Sequence, residues 1–174
     1  RRELRAGAGG PQALAAHDDV AWHLIGHLQS NKAKKAAERA TLIHTVDTTK
    51  LARALGQATH GRASPLGVLV EVNLGGEASK HGAAPDGVEA VLAEIQAHPG
   101  LEARGLMCIP PPDDAPRRWF VALRQLAERL RGPTGLALPE LSMGMSGDFE
   151  VAIEEGATFV RVGTALFGER QPRA

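Results

Sequence analysis

Tyrosine is absent from this 174-residue chain, and the other large rings are only four Phe and two Trp. So few aromatic side chains leave no platform on which single-stranded nucleic acid could stack. Net charge is absent as well, with 20 Lys+Arg against 20 Asp+Glu. That balance excludes a broad electrostatic footprint for nucleic acid or an anionic membrane. The one cysteine, Cys108, cannot close an internal disulfide, which fits a reducing compartment. No apolar run approaches the roughly 20 residues of a membrane span. The opening Arg1-Arg-Glu-Leu-Arg-Ala lacks the apolar centre of a signal peptide. The expectation is a cytoplasmic protein of one domain over 1–174, with no low-complexity linker.

What is present is an alternation. Residues 1–20 are rich in Ala and Gly and read as a helix end and a loop. Apolar strand-like runs follow at Trp22–Leu28, Thr41–Val46, Gly67–Leu74, Leu101–Ile109, Leu136–Met143 and Thr158–Phe167. Helical patterns separate them at Lys32–Arg39, Lys50–Thr59, Pro85–Ala97, Pro116–Arg131 and Asp148–Glu155. Short Val/Ile/Leu strands between amphipathic helices predict βαβ units and a parallel sheet. Asp47 or Thr48 can cap the helix near Lys50. Phe120, Leu123, Leu126, Ala127 and Leu130 recur at helical spacing and predict one buried stripe. Gly156 suits a left-handed helix end. The architecture is an open doubly wound sheet or a (β/α)8 TIM barrel. A barrel takes about 250 residues, so this chain is two βα units short of one. Because it also begins mid-helix, the expectation is an N-terminally incomplete barrel whose six C-terminal βα units are present.

Two segments carry the chemistry. In Phe159-Val-Arg-Val-Gly-Thr164 alternate side chains face opposite ways. Phe159, Arg161 and Gly163 fall on the face that would be the barrel interior. A buried guanidinium needs an acceptor or an anion, so Arg161 either pairs with a carboxylate or meets a ligand. Gly163 lets a ligand approach the backbone, and Thr164 adds a hydroxyl. In Ser142-Met-Gly-Met-Ser-Gly-Asp148, Ser146 and Gly147 stand where backbone N–H groups gather before a helix. Either this is an anion site or it is an ordinary helix start. Counting from a missing pair, these segments would be strands 7 and 8, after which barrel phosphate sites are commonly built.

His23 and His27, four apart on a strand, would share a face about 13 Å apart, too far for one ion, so no metal site is expected. Cys108 reads as core. Glu77 and Lys80 read as a loop ion pair, and Asp113 and Asp114 as a solvated loop.

The phrases Trp22-His-Leu-Ile-Gly-His-Leu-Gln-Ser-Asn-Lys32, Val72-Asn73 with Glu77-Ala-Ser-Lys-His-Gly82, Gly105-Leu-Met107, Leu141-Ser-Met-Gly-Met-Ser146 and Val160-Arg-Val-Gly-Thr-Ala-Leu-Phe-Gly168 closely resemble the pyridoxal-phosphate homeostasis proteins. The likeness runs in order from about residue 22 to 170. It implies one barrel domain like that of alanine racemase and pyridoxal 5′-phosphate as cofactor. The role it implies is that of a carrier or buffer in vitamin B6 homeostasis, without established catalysis. By the same resemblance Ser146, Gly163 and Thr164 hold the phosphate, Arg161 faces the pyridine nitrogen, and Met143 and His23 line the pocket. Transient contact with apoenzymes that use the cofactor, and a monomer or weak dimer, are implied too. One departure stands out. The family's Schiff-base lysine lies on its first strand, in a phrase like Val-Ser-Lys-Thr, and neither that phrase nor the second-strand phrase resembling Phe-Gly-Glu-Asn occurs here. Lys32, Lys34, Lys35, Lys50 and Lys80 are the only lysines, and none takes that role.

Two other functions compete. A racemase acting on amino acids needs a second base, often a tyrosine, and this chain has none. A barrel enzyme acting on another phosphorylated metabolite would use the same phosphate turns.

Overall fold

Strands form along short runs rich in apolar and β-branched residues, and helices where the apolar residues recur every three or four positions. A computed structural model describes residues 21–77, 80–112 and 115–168. The N-terminal segment read as a helix end and the Asp113–Asp114 loop lie outside these. The strands are β1 (His23–Leu24), β2 (Leu42–Val46), β3 (Leu66–Val72), β4 (Leu101–Cys108), β5 (Glu140–Met145) and β6 (Phe159–Arg161). The helices are α1 (Ala33–Ala37), α2 (Thr49–Ala58), α3 (Val88–Gln96), α4 (Arg117–Thr134), α5 (Phe149–Glu154) and α6 (Thr164–Phe167). All neighbouring strands pair in parallel, in the order β1-β2-β3-β4-β5-β6. That unbroken order is barrel-like; an open doubly wound sheet would reverse direction at a switch point.

Outward-facing strand residues meet the helices in one continuous core. Ile43, Val68, Val70, Val72, Leu106, Cys108, Leu141 and Met143 pack there with Leu51, Leu55, Leu92, Ile95 and the α4 stripe. Phe120, Leu123, Leu126, Ala127 and Leu130 are all buried, as their spacing predicts. Thr48 caps α2 by accepting from the Leu51 N–H at 3.2 Å. Gly135 (φ 68°) closes α4 in the left-handed conformation that favours glycine. Helices are tied to one another by ion pairs across the outside. Arg117 pairs with Glu154 and Glu155, and Arg53 with Glu94.

Several elements differ from the sequence expectation. The first apolar run gives a strand of two residues, because Gly26 turns away at φ 108°. The fifth run becomes a strand only at Glu140; Leu138, at φ 42°, breaks the extended path before it. The last run gives three strand residues and then α6, since Gly163 and Thr164 let the chain turn into a helix. Pro85 sits in the turn before α3, which starts at Val88.

Candidate functional site

The inner face of the sheet is polar toward its C-terminal ends and apolar below. Leu42, Leu69 and Met107 are buried there together with Phe159. Next to them four side chains join across the sheet. Arg161 donates to Ser142 Oγ at 2.8 Å and to the Cys108 carbonyl at 2.8 Å. Ser142 Oγ lies 2.9 Å from His44 Nδ1, and His44 Nε2 lies 3.2 Å from His23 Nδ1. One hydrogen-bond assignment runs through these groups. Arginine has no acceptor, so the Ser142 hydroxyl takes its N–H and gives its own hydrogen to His44 Nδ1. His44 Nε2–H then donates to His23. Phe159 closes the far side, its ring 5.5 Å from His23 and 5.2 Å from His44. Edge strands β1 and β6 do not pair with each other, yet their inner side chains meet.

Arg161 therefore lies inside, as the alternation predicts, and two of its partners are uncharged. Glu71 shares the inner face, 6% exposed, with Oε2 lacking a hydrogen-bond partner. Burial pushes its carboxyl above the usual range, Asp47 adds to this, and His81 and Arg161 oppose it.

The two turns also come together. Ala165 N–H, in the first turn of α6, points at Ser146 Oγ at 3.4 Å. Gly163 precedes α6 and Thr164 begins it, exposed. Asp148 does not cap α5 with its side chain. Its Oδ1 accepts from Met145 N–H at 2.6 Å, which tightens the Met145–Asp148 turn. Ser146, Arg161, Gly163 and Thr164 thus occupy one end of the sheet, and His23 reaches the same inner face through His44. Met143 does not. It is wholly buried in the helix-facing core, because Ser142 takes the inner position and its neighbour must face the other way. The expectation that Met143 lines the pocket is corrected accordingly.

His44, Ser142 and Glu71 are residues that the sequence reading missed. The signal was available: His44 is two residues from Leu42, and Glu71 two from Leu69, on the same face. None of the five lysines lies on a strand: Lys32 is in a 3-10 turn, Lys34 and Lys35 are in α1, Lys50 is in α2 and Lys80 is in a loop. Lys80 pairs with Glu77 at 2.6 Å. Cys108 is buried on the outer face, and that burial pushes its thiol up to about 12. A cleft of about 870 Å³ opens at the opposite end of the sheet, beside Leu101, Leu138, Arg104 and Glu140. Arg104 and Glu140 pair with each other there, and exposed Glu102 also lines the cleft.

Comparisons with known proteins show the family and the fold. The family model described as alanine racemase, N-terminal domain, matches residues 11–171. A pyridoxal phosphate homeostasis protein of Aquifex aeolicus is 45% identical over 157 residues, covering 88% of this chain and 68% of the relative. The protein of that name in Pseudomonas aeruginosa is 45% identical over 161 residues, covering 92% of this chain and 70% of the relative. Among solved structures, PipY of Synechococcus elongatus, with PLP bound, superposes with a TM-score of 0.81 at 38% identity, covering 90% of this chain and 74% of its own. An alanine racemase of Clostridium difficile shares the fold, with a TM-score of 0.69 at 12% identity over 88% of this chain and 41% of its own.

Proposed function

We propose that this chain, which belongs to the alanine racemase N-terminal domain family and within it to the pyridoxal phosphate homeostasis proteins, binds pyridoxal 5′-phosphate at the C-terminal ends of its strands. Its role is intracellular vitamin B6 homeostasis, holding the cofactor for release. The observation that carries this is Arg161. A cation is held on the inner face by two neutral acceptors, Ser142 Oγ and the Cys108 carbonyl, beside two turns joined by Ala165 and Ser146.

These residues fit the cofactor part by part. The phosphate goes to Ser146, Gly163 and Thr164, where a small residue and two hydroxyls leave room for its oxygens. The pyridine nitrogen goes to Arg161, and His23 with Phe159 bounds the ring. When bound, pyridoxal phosphate supplies an aldehyde and a ring able to draw in electrons. A guanidinium at the ring nitrogen disfavours its protonation and so weakens that pull. The Ser142–His44–His23 chain fixes the guanidinium's direction without neutralising it. Such a site suits storage better than turnover. No lysine of this chain stands on a strand, so we assign no covalent linkage to any of the five, and binding through these residues is non-covalent.

The six βα units serve as one cofactor-binding domain, working as a monomer or weak dimer in the cytoplasm and meeting cofactor-requiring apoenzymes transiently. Among the described residues no helix is long and apolar enough to cross a membrane. A racemase reading would require a second proton-transfer group opposite the cofactor, and the sequence contains no tyrosine to serve.

Titration of the purified protein with pyridoxal phosphate, followed by absorbance, tests the reading. Arg161→Ala is expected to lose about 10- to 100-fold in affinity, the worth of one charged hydrogen bond, and to shift the bound spectrum. Ser146→Ala should weaken pyridoxal phosphate but leave pyridoxal, which lacks the phosphate, unchanged. Equal affinity and spectrum in Arg161→Ala would remove it from the ring, and no binding by the wild-type protein would end the proposal. Conversion of any L-amino acid to its D form by the loaded protein would favour catalysis.

A further inference from the structure

On the β1–β3 side of the same end of the sheet, three residues far apart in sequence converge. His27, Asp47 and His81 each offer one ligand atom, and these atoms lie within 4.8 Å of one another. His27 Nδ1 is 3.5 Å from Asp47 Oδ2. The His27 and His81 rings lie flat against each other, centroids 3.7 Å apart and planes 9° from parallel. Asp47 is nearly enclosed, its side chain 9% exposed, whereas His27 is 40% exposed.

Each loop is held where it is by its own bonds. Gly26 (φ 108°) ends β1 and turns His27 off the strand, and the Thr45 hydroxyl grips the Gly26 carbonyl at 2.7 Å. Thr48 caps α2, so Asp47 is spared that task and its carboxylate remains for His27. The loop after β3 folds back on its own strand. Asn73 N–H donates to the Ala83 carbonyl at 2.9 Å, Ala83 N–H to the Glu71 carbonyl at 2.8 Å, and Asn73 Nδ2 to the Glu77 carbonyl at 2.9 Å. Gly82, at φ 115°, makes the turn, and a Cβ there would meet Asn73 N at 2.7 Å. That turn presents His81. The carboxylate of Glu71, 6% exposed and with Oε2 lacking a hydrogen-bond partner, interacts with both Asp47 and His81.

We propose that His27, Asp47 and His81 form a binding site for one divalent transition-metal ion of the zinc class. Two imidazoles and a carboxylate select zinc, cobalt, nickel or copper over calcium and magnesium, which prefer oxygen alone. Bonds of about 2.0–2.1 Å to zinc call for ligand atoms closer together than they stand here. The His27 and His81 rings, stacked in near-parallel planes, aim their in-plane lone pairs along parallel directions, so at least one of these exposed rings must also rotate out of the stack to converge on an ion. Three ligands leave an open position toward solvent for water or a small ligand. The site is separate from Arg161 and the phosphate turns and stands whether or not the cofactor reading holds.

The test uses the cofactor-free wild-type protein. One equivalent of cobalt(II) should bind with visible d–d absorption, zinc should displace it, and copper(II) should broaden the imidazole resonances of His27 and His81 first. Asp47→Asn and His81→Ala should each weaken zinc by about 100-fold or more, since loss of a ligand exceeds loss of an outer partner. His60→Ala, remote and exposed, should change nothing. Circular dichroism checks that each variant is folded. Failure to take up one equivalent, broadening that begins at His60 or His98, or zinc affinity unchanged in folded Asp47→Asn and His81→Ala would each overturn the proposal. The wild-type spectra decide the matter even if a variant does not fold.

Discussion

The two faces of this one sheet are built from alternate residues of the same strands, yet they obey different rules. Outward, Ile43, Val68, Val70, Leu106, Leu141 and Met143 make an unbroken apolar layer with the helices. Inward, a small apolar patch of Leu42, Leu69 and Met107 lies beside His44, Ser142, Arg161 and Glu71. A protein seeking only stability could make both faces apolar, since replacing buried charged networks by well-packed apolar residues is often neutral or stabilising. Chemistry sits on the face that departs from that rule. A one-residue slip of β5 would exchange Ser142 for Met143 and abolish the distinction.

Breaking the outer face should have the largest effect. Phe120→Ala removes a ring with no solvent exposure from the centre of the layer and should cost about 3–5 kcal/mol, read by chemical denaturation. Its folded fraction should bind cofactor with wild-type affinity; a changed affinity would mean the two faces are not separable. Cys108 reports the same closure. Burial raises its thiol to about 12, so little of it is thiolate at mild alkaline pH. Alkylation at mild alkaline pH should therefore proceed only as fast as the protein opens. Rapid labelling of the native protein would show that the layer is not closed.

The inner face responds less in stability and more in binding. Ser142→Ala removes a partner of His44 Nδ1 and of Arg161 and should cost about 1–3 kcal/mol. Beyond that it should loosen Arg161, so that the cofactor spectrum shifts toward that of Arg161→Ala. An unaltered spectrum would show that the histidine chain does not orient the guanidinium.

This division explains what could be read from the sequence. The outer face was legible because it rests on periodicity: the α4 stripe from Phe120 to Leu130 and the Val-rich β3 announce themselves. Arg161 was legible for the opposite reason, as a cation where the pattern demands an apolar residue. Met143 was misplaced because a motif names residues without saying which way each points. His44 and Ser142 went unnoticed because each is an ordinary polar residue until the other is beside it, 98 positions away in sequence. The His27 cluster escaped for a sharper reason. Spacing on an ideal strand set His27 against His23, but β1 ends at Leu24, and Gly26 redirects His27 to partners on two other loops.

The smallest effects separate inside from outside by sign. Glu155, bonded first by Arg117 and also by Arg124, is held below the usual carboxylate range. A depressed folded pKa means that the unfolded chain binds the proton more readily. The stability from this group is present above the ordinary carboxylate pKa and is lost as pH falls through the folded value. Glu71 behaves in reverse. Burial, then Asp47, raises its pKa, so its contribution is fullest below the ordinary value and is lost as pH rises through the folded one. Glu155→Gln should therefore flatten the loss of stability on acidification, with only a small change at neutral pH because the pair is at the surface. Glu71→Gln should instead make the protein more resistant to denaturant at neutral pH and no more resistant in acid. Denaturant midpoints of the two variants across the acidic range should thus diverge from wild type in opposite directions. Midpoints that shift the same way would mean that Glu71 is stabilised as a carboxylate by Arg161, and that the inner face is electrostatically satisfied before any ligand arrives.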